Sequence, residues 1–366
     1  MKYGIITFHF AHNYGAMLQA KALKDYISEL NENTEIINYV PKTMMQFYQI
    51  NPFRKKIGIK NFFYGCMNLP RRIKQYRIFQ NFYRQELDCI GKPITNKRKF
   101  IEYRDEVDVV ICGSDQIWNG KLTSWDDIYY GGALGGKSKR ISYAASFGGV
   151  NIDTFQKKCI ENFLPDFVSI SLREEDGFQE ILELINIKPE IVLDPVFLLD
   201  EPYWSKLAEK SVYKTNEKFV LYYSLKEDKE LIELTERIAR YNGLNILAIH
   251  PICQKHHICA VNLRCIGPNE FLYLIKNAEY VCTNSFHASA FSIIFEKKIL
   301  HKSFPGKETR VESLFRRTGA FSNKVEPIDN IPIMDLSKVD HGKIKTEIQH
   351  SREFLLKSLH KCQSEQ

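Results

Sequence analysis

His287 lies in the stretch KNAEYVCTNSFHASAFSIIFEKK, residues 276–298. There an apolar run ending at Cys282 gives way to Thr283, Asn284 and Ser285, and then to a long apolar segment. This order reads as a strand, a tight turn of helix-capping side chains, and a helix over residues 286–295. The histidine then falls in the first helical turn, where unpaired N–H groups and the positive end of the dipole gather anions. An imidazole beside an anion seat can serve as a general acid or base. A satisfied histidine at the start of a buried helix is the alternative reading. Gly113-Ser114-Asp115-Gln116 follows another apolar run and supplies a carboxylate and a hydroxyl. Arg173 ends a third run and supplies a cation for an anionic substrate, unless it only pairs with Glu174 or Asp176. Asn13-Tyr14-Gly15 closes the segment HFAHNYG after the first run. Gly15 could equally serve backbone geometry alone, and without a GxGxxG pattern the nucleotide signal is weak.

Other chemistries find little support. His250, Cys253, His256, His257, Cys259 and Cys265 form a dense group of soft ligands, but no CxxC pair is present and the intervals match no structural zinc module. A variable surface loop accounts for them, and no metal or cofactor is expected. There is no GxSxG, and no cysteine stands in a recognisable Cys-His context, so covalent catalysis is not indicated.

The elements that must position these groups follow from the apolar pattern. Residues 2–8 read as a strand, the next segment as a helix with Leu18, Ala22, Leu23, Tyr26, Ile27 and Leu30 on one face, and residues 35–39 as a second strand. Further strands are expected at 107–112, 140–146, 167–172 and 190–193, several ending in polar or glycine-rich turns. Such turns line the edge where an open α/β sheet binds its ligand. Residues 200–215 are polar without strand character, which places a hinge there. A second half restarts with a strand at 219–224, a helix at 229–241, a strand at 245–249 and a helix at 268–277. The fold class expected is α/β, two Rossmann-like doubly wound domains facing across a cleft. The expected boundaries are 1–205 and 206–335, with a C-terminal helix in 336–366 that crosses back over the first domain.

The chain has 366 residues, long enough for about two cores of ordinary size. Its nine cysteines are odd in number and scattered, which suits reduced thiols in the cytoplasm. No apolar run reaches the ~18 residues that cross a bilayer, and the N-terminus reads as a strand rather than a leader. The net charge of +7 is unevenly spread: residues 42–104 hold 15 Lys and Arg against three acids. This basic, aromatic segment, about 43–104, reads as amphipathic helices inserted into the first domain, with helical periodicity over 73–87. Its basic faces either are solvated or attract phosphates and anionic headgroups, a peripheral membrane contact. Nucleic acid is not an expected partner, since no helix-turn-helix, zinc-finger or RNP-like pattern accompanies the charge.

With these residues in view the chain resembles the polysaccharide pyruvyl transferase family of bacterial surface-glycan enzymes, which are similar in fold to GT-B glycosyltransferases. The matching pieces are TFHFAHNYGAMLQAKAL, DVVICGSDQIWN, ISYAASFG, SISLREEDG, IVLDPVFLL and NAEYVCTNSFHASAFSIIF, followed by Arg310 in ETRVESL. The resemblance implies transfer of the pyruvyl group of phosphoenolpyruvate to two hydroxyls of a sugar, forming a cyclic ketal and releasing phosphate. The acceptor it implies is a lipid-linked glycan intermediate at the inner face of the membrane. It implies acid/base work for His287, donor binding by Arg173, and acceptance of a hydroxyl proton by Asp115. His9, His12, Asn13 and Gly15 would shape the facing wall, and Asn284, Ser285 and Arg310 complete the substrate-binding set. Many members carry an arginine two residues before the motif histidine; here that position is Ser285, so either Lys297, Lys302 or Arg310 supplies the phosphate-binding cation, or the donor differs, or catalysis is lost. A GT-B-like glycosyltransferase using a nucleotide sugar, or a non-catalytic glycan-binding relative, are the alternatives.

Overall fold

The structure is a computed structural model describing residues 1–30, 33–44, 59–89, 92–103, 106–134, 138–149, 151–250, 256–303, 308–322 and 331–364. Its first sheet is built around β1 (Lys2–Ile6), which lies between β2 (Asn33–Ile36) and β3 (Val109–Cys112), with β4 (Lys139–Ser142) beyond β3. All three pairings are parallel, Ile5 facing Ile36 on one side and Ile111 on the other. Helices α1 (Tyr14–Glu29), α2 (Ile59–Glu86) and α3 (Lys97–Tyr103) fall between these strands. β3 is buried at all four residues, which is why its sequence is apolar throughout rather than alternating.

After α4 (Thr154–Phe163) the short strand β5 (Ser171–Leu172) continues the sheet, and after α5 (Phe178–Ile185) β6 (Glu190–Ile191) pairs with β5. The Ser142 N–H donates to the Ser169 carbonyl and the Ala145 N–H to the Ser171 carbonyl, laying β5 along β4. Both strands are shorter than the apolar runs predict. Two serine hydroxyls replace main-chain partners here: Ser171 N–H donates to Ser142 Oγ and Ala144 N–H to Ser171 Oγ.

Residues 200–215 hold a helix, α6 (Glu201–Glu209), where a hinge is predicted from polarity. Its signals were local: Asp200 Oδ1 accepts from Tyr203 N–H and Pro202 occupies the first turn. Then follow β7 (Phe219–Tyr223), α7 (Lys229–Asn242), β8 (Asn245–Ile249), β9 (Val261–Leu263), α8 (Pro268–Asn277), β10 (Tyr280–Thr283), α9 (Phe286–Ile294) and β11 (Lys298–His301). The chain continues with α10 (Glu308–Thr318), β12 (Met334–Asp335) and α11 (His341–Ser364). The second sheet runs β12-β11-β10-β7-β8-β9, parallel except at β12. The architecture is α/β with two parallel sheets.

An aromatic column ties the halves together. Tyr14, at the start of α1, stacks on Phe79 of α2 at 5.5 Å and on Phe271 of α8 at 4.9 Å. α1 is buried without a break from Tyr14 to Leu23 because it lies between the first sheet and the second half. α11 spans back across the first sheet: Leu193 N–H donates to Ser351 Oγ, Lys139 Nζ to the Cys362 carbonyl and Gln363 Nε2 to the Tyr3 hydroxyl.

The basic segment is described only in part, and Phe53, Arg54, Lys55 and Lys56 lie outside the described residues. α2 begins well before the predicted residue 73 and runs through Pro70. It buries Gln75, Phe79 and Phe82 and leaves Arg71, Lys74, Arg77 and Arg84 exposed. Among the described residues no helix is long and apolar enough to cross a membrane.

Candidate active site

The two halves meet at Asp194. This residue follows β6, and its main chain opens a tight turn in which Oδ1 accepts from Val196 N–H at 3.2 Å. The other oxygen, Oδ2, faces Arg173 Nη1 at 3.0 Å, Ser114 Oγ at 3.4 Å and His287 Nε2 at 3.5 Å. Burial alone would raise this carboxyl, but His287 and Arg173 hold it down to about 2.

Arg173 leaves the end of β5 and is fully enclosed by acids. Nε donates to Glu174 Oε2 at 3.2 Å, and Nη1 lies 3.6 Å from Asp115 Oδ1 as well as against Asp194. Its guanidinium carbon sits 4.2 Å over the Phe286 ring. Burial opposes the charge, yet Glu174, Asp194 and Asp115 outweigh it, so the guanidinium is held charged. Nη2 is buried and has no hydrogen-bond partner among the described residues.

α9 places His287. Ser285 caps it, its Oγ accepting from Ala288 N–H at 3.4 Å, so this side chain is engaged at the helix end. Asn284 is likewise engaged, Oδ1 accepting from Leu225 N–H and Nδ2 donating to Ser224 Oγ, which braces the turn after β7 against the turn after β10. His287 is only 7 % exposed, and Nε2 has no hydrogen bond among the described residues. Its ring lies flush against α1: a Cβ added at Gly15 would overlap the imidazole at Nδ1 and Cγ. Gly15 therefore answers to a close approach between halves rather than to unusual backbone angles. Asn13 caps α1 through Oδ1, which accepts from Ala16 N–H at 3.2 Å, and so fixes the turn carrying Gly15.

α10 brings the second cation. Thr309 Oγ1 donates to Asp176 Oδ2 at 3.0 Å and Arg316 pairs with Glu175, which dock α10 onto the loop after β5. Arg310 lies between these anchors, and its Nε is buried without a hydrogen-bond partner among the described residues. Burial and then the charge of Arg173 lower its pKa. Of the three cations that could stand in for Ser285, Lys302 is paired with Asp228 at 2.9 Å and Glu230 at 2.7 Å, and Lys297 has no neighbour in this cluster. Burial, then the Glu174 charge, raises Asp176 to about 6. His301, at the end of β11, bonds Ser289 and Ser303, and burial followed by the charge of Arg310 lowers it to about 3.

The remaining predicted residues lie elsewhere. His9 is buried, its Nδ1 3.0 Å from the Thr7 carbonyl and its ring stacked on Tyr83, and burial lowers it to about 4. His12 stacks on Phe79 and edges Tyr76 of α2, and burial lowers it to about 4 as well. Both hold the basic helix onto the first half. The soft-ligand group is spent on its own partners: His250 faces Asn262, His256 faces Tyr222, and His257 pairs with Glu227. Cys253 lies outside the described residues, and among the described ones no three ligands are grouped to hold a metal. Asp194 and Glu174 were missed as site residues; both sit inside the quoted pieces IVLDPVFLL and SISLREEDG, but Asp194 reads there as a strand stop.

The chain matches the model of the family described as polysaccharide pyruvyl transferase over residues 13–301. No curated protein matches it. Among solved structures it is similar to the UDP-GlcNAc 2-epimerase of Neisseria meningitidis bound to UDP-GlcNAc, at 13% identity and TM-score 0.46, covering 98% of this chain and 100% of that one. It is also similar to the UDP-GlcNAc 2-epimerase of Methanocaldococcus jannaschii, at 16% identity and TM-score 0.43 over 82% and 83%. A glycosyltransferase of Streptomyces sp. SF2575 complexed with thymidine diphosphate follows at 9% identity and TM-score 0.37 over 97% and 96%.

Proposed function

Because the chain belongs to the polysaccharide pyruvyl transferase family, we propose that it moves the pyruvyl group of phosphoenolpyruvate onto two hydroxyls of a sugar in a lipid-linked glycan intermediate, at the inner face of a membrane. One observation carries the donor assignment. Arg173 Nη2 and Arg310 Nε are buried donors without hydrogen-bond partners among the described residues, in a cluster that also holds His287. Buried donors are normally satisfied, and a doubly anionic substrate would satisfy both.

The chemistry then divides as follows. An acid protonates the methylene carbon of the enol, leaving an oxocarbenium-like centre at the adjacent carbon. A sugar hydroxyl adds there and gives its proton to a base, which restores the proton delivered to carbon; the C–O bond to phosphate breaks, and the second hydroxyl closes the ketal as its proton leaves with the phosphate. His287 is the acid/base through Nε2, which makes no hydrogen bond among the described residues, while Nδ1 lies against Gly15; Asp194 Oδ2, 3.5 Å away, orients the ring by its charge. Arg310 supplies the cation that Ser285 does not, and Arg173 stabilises charge developing on the leaving phosphate. Asp115, half-buried and 3.6 Å from Arg173, accepts the hydroxyl proton.

Thermal unfolding with phosphoenolpyruvate, with nucleotide sugars and with buffer alone, at matched ionic strength, tests the donor. Phosphoenolpyruvate at ~100 times its Kd should add about 2.7 kcal/mol of stability. The shift should vanish in Arg310→Gln. A shift with a nucleotide sugar and none with phosphoenolpyruvate would replace this reading with glycosyl transfer.

A further inference from the structure

The loop after β3 that carries Asp115 ends in an exposed indole. Trp125 is 52% exposed, whereas Trp118 and Trp204, the other two tryptophans of the chain, are fully buried. The indole is not a loose surface side chain. Trp125 (φ 55°) and Ser124 before it (φ 57°) both adopt the left-handed region, which bulky residues avoid. Surrounding contacts impose this backbone. Trp125 N–H donates to the Gly120 carbonyl at 2.8 Å, and Asp126 caps the turn that follows, its Oδ1 accepting from Ile128 N–H at 3.1 Å. The ring edge lies against Gly120: a Cβ there would stand 2.9 Å from Cδ1 and 3.0 Å from Nε1. Nε1 faces Asp153 Oδ2 at 3.4 Å. One edge of the indole is therefore pinned while much of the ring stays open to solvent.

We propose that Trp125 is a stacking platform for a pyranose ring of the acceptor glycan, with Asp153 accepting from its hydroxyls. This rests on the reading of the chain as a transferase acting on a glycan. The C–H face of a pyranose is apolar and its rim is polar, which matches an open aromatic face beside a carboxylate. The platform lies on the segment that leaves the first sheet after β3, just past a helical turn at Gly120–Thr123. Asn119, next to Gly120, donates to Gln116 Oε1 at 3.2 Å, and Gln116 adjoins Asp115, so a chain of contacts links the indole to the proposed base. Paying backbone strain to present an apolar ring to water has no benefit for folding.

Acrylamide quenching of tryptophan fluorescence reads this one indole, since the other two are inaccessible. The probes are the methyl glycosides of glucose, galactose, mannose and N-acetylmannosamine. At least one should protect Trp125 from quenching, and saturation-transfer NMR should show contact between its ring protons and the protein. Trp125→Ala should weaken that glycoside roughly threefold to tenfold, with Trp125→Phe restoring part of the loss. Absence of protection by all four glycosides, or equal glycoside binding in Trp125→Ala, overturns the proposal. Melting with phosphoenolpyruvate is run on the same variants. Loss of that response in the unsubstituted chain speaks against pyruvyl transfer, while protection by a glycoside still decides the platform.

Discussion

Arg173 and Arg310 look interchangeable as donor ligands, and their surroundings separate them. Arg173 neutralises Asp194, Glu174 and Asp115 in a buried site. Removing it strands buried carboxylates, so Arg173→Ala should cost on the order of 3–5 kcal/mol of stability by chemical denaturation, whatever it does to the donor. Arg310 has no such duty through Nε, and Arg310→Gln should melt close to the parent while losing the phosphoenolpyruvate response. Equal destabilisation by the two substitutions would contradict this division. Gly15 makes a second residue-scale test. Gly15→Ala puts a methyl group into the His287 ring. Turnover should fall by about 10²-fold or more, as when an acid/base is displaced, with donor binding retained. Unchanged turnover would show that the ring position set by α1 is irrelevant to the chemistry.

At the scale of elements, α2 has two opposite tasks. Its buried side meets both halves through Phe79, Phe82 and Gln75, whose Nε2 donates to the Ile266 carbonyl at 2.9 Å. Its outer side presents Arg71, Lys74 and Arg77 to solvent. Replacing Arg71, Arg72 and Lys74 by Glu should leave the fold intact and weaken binding to anionic vesicles by about 1 kcal/mol per charge removed, with salt suppressing what remains. Vesicle binding that ignores both changes would end the membrane role of this helix. α10 shows how contacts on either side of one residue decide where its charge stands. The Thr309–Asp176 and Arg316–Glu175 contacts hold Arg310 beside Arg173, which no feature of ETRVESL taken alone would require.

For the whole molecule, buried histidines set the acid response. Burial lowers His9 to about 4 and His301 to about 3, and His12 shifts the same way, so each is neutral when folded. Below about pH 6.5 the unfolded chain binds these protons and the folded chain does not, so stability should fall as pH drops from about 6.5 toward 4. Asp176 opposes this, since its raised folded pKa of about 6 gives stability at low pH that is lost as pH rises through 6. His256 is lowered in the same sense as these histidines and Asp126 is raised in the same sense as Asp176, so the histidines still outnumber the acids, and melting temperature should decline on acidification across this window, more steeply in Asp176→Asn. A flat profile between pH 6.5 and 4 would mean that these histidines are hydrated and titrate freely. Asp194, held down to about 2, adds its own loss only below the ordinary carboxylate range.

Local chemistry was legible wherever it depends on neighbours in sequence. Periodicity alone placed β8 and α8, and the capping side chains ending at Ser285 marked the start of α9, whereas Asn13, read as part of a ligand turn, caps α1. His287, Arg173 and Asp115 could be named because strand ends in an α/β sheet converge on one edge. What the sequence could not show is which of these groups share a partner. Asp194 reads as a strand stop until the fold brings it, from 21 residues past Arg173 in the chain, to the same oxygen distance from the arginine as a first-rank ion pair and within 3.5 Å of His287. The same holds for His9, which has a catalytic residue type but a buried place under Tyr83. Charge, burial and distance are properties of the packed chain, because desolvation and Coulomb attraction act through space and not along the sequence.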